Sequence, residues 1–345
     1  MPPDMTSNAP AVAEAATGAD VAAAPSARSR AGQPSLVQRY AGVGVLAAIV
    51  VFFTILKPNT FMTYDNIVGI LGNSAILGIL AVGLLGPLSA GVFDISIGGA
   101  MTLSVVAITW LFQTTNGSFP VPLAIVVVLV GAVAVGVVNS WLVVDRGVEP
   151  FIATIGTGSV LIGMSQLMAN GTTISEDIPS SFTDLGRWSL GRIPMGVFVL
   201  LALCLVAWYV LQYTPFGRRL YATGASREAS RLTGIHTTRI LRIAFVSSAL
   251  GAAIAGIVFA ARLGSGPPDI GTGFLIGAYS VAFLGSTIIQ PGRFNVVGLI
   301  VALLIISVGV NGLQVAGLPF WVVETFQGLA LLVAVLLGRR RGANR

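Results

Sequence analysis

Ten nearly uninterrupted apolar runs, at residues 40–56, 67–88, 95–113, 121–144, 150–169, 194–213, 241–261, 271–289, 294–315 and 319–337, leave this chain few ways to fold. A helix needs about 20 residues to cross the hydrocarbon core, with about 17 still workable, and the runs meet that length. Composition agrees, since 55% of residues are hydrophobic and only 9% are charged, where a soluble domain carries about a quarter. Forty-two glycines suit helices that pack closely in lipid. The expected fold is all-α, a polytopic transmembrane helix bundle of about ten spans. Asp94 interrupts the stretch 67–113 without a clear loop, so how that stretch divides is left open.

Charge sets the orientation. In an alternating ten-span arrangement with the N-terminus inside, the inner side receives fifteen cations: Arg28, Arg30, Arg39, Arg146, Arg218, Arg219, Arg227, Arg231, Arg239, Arg242, Arg293, Arg339, Arg340, Arg341 and Arg345. The outer side receives four, Lys57, Arg187, Arg192 and Arg262. Such a bias places both termini in the cytoplasm. Residues 1–38, rich in Ala, Pro and Ser, read as a disordered cytoplasmic tail with no apolar stretch long enough for a signal peptide. Residues 39–338 form the transmembrane domain with a cytoplasmic loop at 214–242, and 339–345 a basic tail. The longest external loop, 170–193, carries Glu176, Asp177 and Asp184 and is expected to be solvated unless it meets an extracytoplasmic partner.

Several chemistries are excluded. A P-loop needs a lysine after its glycines, and the one lysine, Lys57, stands beside Pro58 at a membrane edge. His236 has no nearby cysteine or second histidine, so no metal site is expected. Cys204 is alone, so no intrachain disulfide forms. The arginines are distributed among loops rather than gathered on one folded face, which argues against nucleic acid. No cofactor and no catalytic residues are expected.

One polar island stands apart, residues 215–242, PFGRRLYATGASREASRLTGIHTTRILR, with six arginines against one acid, Glu228. Between Gly224 and Gly234, Ala225, Ala229 and Leu232 recur at spacings of four and three and share a helix face. Ser226 is placed to cap that helix of about two turns. A short amphipathic helix tethered between two spans suits another protein's groove; a plain basic loop is the other reading.

The island resembles the cytoplasmic coupling segment of bacterial ABC importer permeases of the ribose/xylose type, typically G-R-x-x-Y-A-x-G-x-N-x-x-A-A-x-x-S-G-I. Gly217, Arg218, Tyr221, Ala222, Gly224, Glu228, Ala229, Arg231, Leu232, Gly234 and Ile235 fall in register, with Ser226 among them as the cap. In that family the segment docks on the ATP-hydrolysing subunit. Further resemblances follow in order. AGVFDISIGGAM is similar to the family's G-G-I-D-L-S-V-G at Asp94, Ser96 and Gly98, with Val92 and Phe93 departing from it. VVNSWLVVDRGVEPFIATIGTG resembles N-G-x-L-V…P-F-I-x-T-L-G-T at Asn139, Leu142, Val143, Pro150, Phe151, Ile152, Thr154, Gly156 and Thr157, with Ser140 in place of a glycine. FLGSTIIQPGRFN, Asn311-Gly312-Leu313 and PFWVVETFQGLALLVAVLL also resemble it, while 274–278, FLIGA, lacks the acidic residues of many members.

Asp94, Ser96, Gly98, Asn139, Thr154, Gly156 and Thr157 are the candidates for a path or gate. An ionisable residue in a span is costly and points to function, although Asp94 also reads as the N-cap of the third span. Thr154 to Ser159 would offer a small hydroxyl-bearing surface, whose alternative role is helix packing. A faint repeat aligns LGPLSAGVFDISIGGAM (85–101) with LGSTIIQPGRFNVVGLI (284–300) through Gly86 on Gly285 and Gly99 on Gly298.

The resemblance implies a permease subunit for a monosaccharide or related polyol in a bacterial inner membrane. It implies, as partners, two ABC ATPase subunits, a second permease subunit, an extracytoplasmic sugar-binding protein and membrane lipid. A branched-chain amino-acid permease and an ion-coupled secondary carrier are the alternatives. Only Asp94 and Glu324 are candidates for the proton relay a carrier would need.

Overall fold

The computed structural model describes residues 36–342, with side chains over 40–337. In chain order the helices are α1 (Leu36–Leu56), α2 (Tyr64–Ser89), α3 (Ile97–Thr114), α4 (Val121–Ser140), α5 (Pro150–Met168), α6 (Ser180–Arg187) and α7 (Met195–Tyr213). There follow α8 (Pro215–Ala225), α9 (Arg227–Leu232), α10 (Thr237–Leu263), α11 (Ile270–Gly285), α12 (Val296–Val315) and α13 (Phe320–Gly342). α4 continues into a π-helical turn, Trp141–Asp145. A two-residue antiparallel pair, β1 (Ser189–Leu190) and β2 (Ile193–Pro194), precedes α7. The tail expected over 1–38 lies mostly outside the described residues, and α1 already begins at Leu36, inside that range. At the other end α13 continues past residue 338 to Gly342, into the stretch read as a basic tail.

Eight of the described helices are long and apolar enough to cross a membrane, and Tyr40–Leu56 and Ile270–Gly285 are shorter apolar helices. A spanning helix satisfies its own backbone groups in lipid, which is why apolar runs of this length become helices. The protein is an all-α polytopic membrane protein. The ten runs of the sequence thus fall on ten apolar helices, of which α11, at 16 residues, is the shortest.

α2, α3 and α10 form the centre: 67% of the apolar window of α2, and of α3, is buried, against 6% for α13. Small residues permit the close approach. A Cβ on Gly251 would stand 2.7 Å from the Gly83 Cα, and one on Gly136 would stand 2.6 Å from the Val246 Cα.

The doubtful stretch around Asp94 divides cleanly. α2 ends at Ser89, Gly91 takes φ +76°, and α3 begins at Ile97. The repeat falls on equivalent features, since 85–101 covers the α2–α3 break and 284–300 covers the α11–α12 break. In the second, Asn295 Oδ1 accepts from the Gly298 N–H at 2.7 Å and caps α12.

α11 is short because the chain before it runs down beside α3. A Cβ on Gly266 would meet Thr109, while the Gly271 N–H donates to Thr102 Oγ1 at 3.0 Å. Seven residues of α3, about 10 Å at 1.5 Å per residue, separate those two levels. α11 therefore starts alongside the early turns of α3 rather than at its far end. The loop 170–193 keeps Glu176, Asp177 and Asp184 exposed, as expected, but is anchored: Phe182 on α6 is fully buried, 5.1 Å from the Phe112 ring, and Gly186 packs on Ala261.

Candidate functional site

The polar island forms two helices rather than one. Pro215 occupies the first turn of α8, where its missing N–H costs nothing, and Thr214 Oγ1 accepts from the Gly217 N–H at 3.4 Å. Gly217 is buried against the Val210 and Leu211 carbonyls, so the chain turns sharply out of α7. Ser226 breaks α8 from α9 with φ −158° and caps α9, its Oγ accepting from the Ala229 N–H at 3.2 Å. The expected cap is therefore present, but the helix it starts is only Arg227–Leu232, and Gly224 lies inside α8 instead of flanking a helix. Gly234, at φ +82°, turns the chain away after α9, and Ile235 packs half-buried against the core.

Outward, α9 presents Arg227, Glu228, Ala229, Arg231 and Leu232. Leu232 is 85% exposed. Arg218 is exposed on α8. An open cleft of about 1020 Å³ separates Arg227, Glu228, Arg231 and Leu232 from the α4–α5 turn at Val143, Gly147 and Glu149. Arg242 of α10 bonds Asp145 at 2.6 Å and braces that turn from behind.

Inward, α8 rests on both helix breaks. Gly224 touches the backbone of Ser89 and Ala90, and a Cβ on Gly91 would lie 3.2 Å from the Gly224 carbonyl oxygen. Tyr221 Oη donates to the Phe294 carbonyl at 2.6 Å, and the Arg293 guanidinium lies 3.7 Å over the Tyr221 ring.

The α2–α3 break holds the second set of candidates. Asp94 is fully buried, and its Oδ1 accepts from Ser96 N at 3.1 Å and from Ser96 Oγ at 2.6 Å. It thus closes a local turn two residues before the cap position of α3, which Ser96 occupies without a side-chain cap bond. Asn139 Nδ2, from α4, donates to Ser96 Oγ at 2.7 Å. The Ile95 N–H donates to Thr154 Oγ1 of α5 at 3.0 Å, and the Asp94 N–H donates to Tyr279 Oη of α11 at 3.1 Å. Three helices, α4, α5 and α11, are thereby tied to one irregular stretch of backbone, as burial of its polar groups requires. Ser248 of α10 adds its hydroxyl beside the Asp94 carboxylate, while Asn139 Oδ1, also buried, has no hydrogen-bond partner among the described residues.

Asp94, Ser96, Asn139 and Thr154 therefore meet in one cluster. Gly98 lies against the Gly271 carbonyl of α11, where a Cβ would stand 3.1 Å away. Gly156 and Thr157 are elsewhere: Gly156 is exposed, and the Thr157 hydroxyl returns to the Ala153 carbonyl at 3.1 Å. The expected hydroxyl surface is split, because Thr154 and Gly158 are buried while Ser159 faces outward.

A third feature was not anticipated. A cleft of about 300 Å³ lies between α2, α11, α12 and α13, lined by Asn73, Ser74, Ser307, Asn311, Gln314 and Gln327 among apolar side chains. These uncharged polar residues inside apolar runs were the available signal. Attention to ionisable groups alone passes over them.

Comparison with known proteins places these features in context. The family model described as "Branched-chain amino acid transport system / permease component" matches residues 66–336. The ribose import permease protein RbsC of Bacillus subtilis (strain 168) is 31% identical over 299 residues, 86% of this chain and 92% of that protein. Its namesake in Escherichia coli (strain K12) is 30% identical over 310 residues, 89% of this chain and 95% of that protein. The autoinducer 2 import system permease protein LsrD of Salmonella paratyphi A is 29% identical over 317 residues, 89% of this chain and 94% of that protein. No solved structure matches.

Proposed function

Because the chain belongs to the family of branched-chain amino acid transport system permease components, we propose that it is the membrane-spanning subunit of an ATP-driven ABC importer for a monosaccharide or related polyol. The relatives named for ribose import, similar over nearly their whole length, favour a sugar over a branched-chain amino acid. The protein is a multi-pass plasma-membrane permease and not an enzyme; a separate ATPase subunit hydrolyses ATP. Ten crossings, with α1 and α11 counted among them, put α8, α9 and both termini in the cytoplasm, consistent with fifteen inner cations against four. Two such subunits would enclose the path, two ATPases would dock below, and a binding protein would deliver substrate outside.

The observation that carries this reading is the placement of the α8–α9 pair. One face is exposed and offers Arg227, Glu228, Arg231 and Leu232 beside an open cleft, while the other is seated on the two helix breaks. A push on α9 reaches α8, then through Gly224 the α2–α3 break. There Phe93 stacks 6.2 Å from Tyr279 and 6.1 Å from Phe283 of α11. Packed elements shift as units rather than deforming continuously, so closure of the ATPases would move α11 and α3 together.

The test is a double substitution, Glu228→Arg with Ala229→Asp. It reverses the acid and adds a charge to the exposed face without touching a span. Membrane insertion is expected to be retained and recovery of the ATPase subunit by pull-down lost. Normal recovery of the complex counts against the assignment.

A further inference from the structure

We propose that the cleft between α2, α11, α12 and α13 is a transient subsite for a neutral polyhydroxylated monosaccharide inside the permease. This deepens the importer reading and rests on it. At about 30 Å³ per water in the liquid, the roughly 300 Å³ cleft holds about ten waters, and a sugar of about ten non-hydrogen atoms fits the same space.

The chemistry of the walls selects the ligand. Amide side chains carry both a donor and an acceptor, the pairing that a sugar hydroxyl, itself both, requires. Asn73 is pre-set: Arg262 Nη1 donates to its Oδ1 at 3.0 Å, which leaves its NH₂ to donate. Asn311 is held by a reciprocal pair with Asn66, each Nδ2 donating to the other Oδ1 at 3.0 Å. Ser307, Gln314 and Gln327 line the same space, and among the described residues no hydrogen bond ties their side chains. Phe274, near the start of α11, gives an apolar surface for the C–H face of the sugar.

None of the residues lining the cleft is charged, and the nearby Arg262, which bonds Asn73 from outside the lining, is a cation that would repel an ammonium. A zwitterionic amino acid would bring an ammonium and a carboxylate into this space with no acid to pair the former, and a buried unpaired charge is strongly disfavoured. A neutral sugar exchanges water hydrogen bonds for amide ones at little net gain, so it is held briefly and released. The cleft also borders moving parts. Gly273 and Phe274 belong to α11, which Phe93 and the Asp94 N–H contact about two turns further on.

Two substitutions test the proposal in the full transporter, reconstituted in proteoliposomes with its ATPase and binding protein. D-Ribose and L-leucine are the probes. Gln327→Leu removes a free amide, and uptake of D-ribose should fall about fivefold, the worth of one hydrogen bond. At Gly273 an added Cβ meets nothing within 4 Å, so Gly273→Leu puts its bulk into open space beside the cleft, and uptake should fall at least about tenfold. Pull-down with the ATPase subunit checks assembly of each variant. If the unsubstituted transporter imports D-ribose and both assembled variants match it, the subsite is refuted while the importer reading stands. If it imports L-leucine and not D-ribose, the sugar reading falls and the subsite with it.

Discussion

Gly224→Ala isolates the contact through which α8 and α9 would move the spans. A Cβ at this position overlaps the Ser89 carbonyl oxygen and comes within 3.1 Å of the Ala90 carbonyl carbon. Both are backbone atoms, so no side chain can rotate away. Carbon atoms are at their best separation at about 3.5–4.0 Å, and α8 must therefore back away from the α2–α3 break. Overpacking of this kind costs about 1–3 kcal/mol, and the better helix propensity of alanine returns about 0.5–1 kcal/mol. The net loss of stability is about 0–2.5 kcal/mol, within what a domain tolerates. Coupling is a different matter, because coupling energies between sites are typically about 1–3 kcal/mol, or roughly 5–150-fold. Loosening the contact should remove much of that. The exposed face of α9 is untouched, so the ATPase should still bind. In proteoliposomes, sugar imported per ATP hydrolysed should fall about tenfold, read by parallel uptake and phosphate release. Gly328→Ala, at a helical position where a Cβ meets nothing within 4 Å, serves as the control. A wild-type ratio of import to hydrolysis for Gly224→Ala would refute the reasoning.

Other outcomes follow from the same geometry. Tyr279→Phe leaves the ring stack with Phe93 but strands the buried Asp94 N–H, so thermal stability in detergent should drop by about 1–3 kcal/mol, and an unchanged melting temperature would count against that bond. Gly99→Ala drives a methyl to 2.5 Å from the Gly158 carbonyl oxygen, whereas Gly156→Ala meets nothing within 4 Å. The first should lower the yield of folded, monodisperse protein and the second should be neutral or stabilise by about 0.5–1 kcal/mol, with size-exclusion profiles distinguishing them.

Much of the α8–α9 segment was legible in the sequence. Ser226 caps α9 as its spacing suggests, and Glu228, Ala229, Arg231 and Leu232 do face outward. What local pattern did not reveal was that Pro215–Ala225 is a second helix, whose seat depends on Gly224 closing on the distant backbone of Ser89 and Ala90. Asp94 shows the same limit. Its cost in an apolar stretch marks it from the sequence, but its partners come from residues as far along the chain as Tyr279. In the loop 170–193 the acids do face solvent, as they suggest, while the burial of Phe182 depends on Phe112, seventy positions earlier.

Hydrophobic run length, charge asymmetry and the arginine-rich island determine a membrane bundle of helices with one conspicuous polar segment, because those properties act through solvent and are local to the chain. Which polar residues converge, that α11 begins part-way along α3, and that six uncharged polar side chains face a common cleft were decided by the packing of α11 on α3 and among α2, α11, α12 and α13. Contacts between segments far apart in the chain leave no periodicity in a single sequence, and only close approach of the helices creates them.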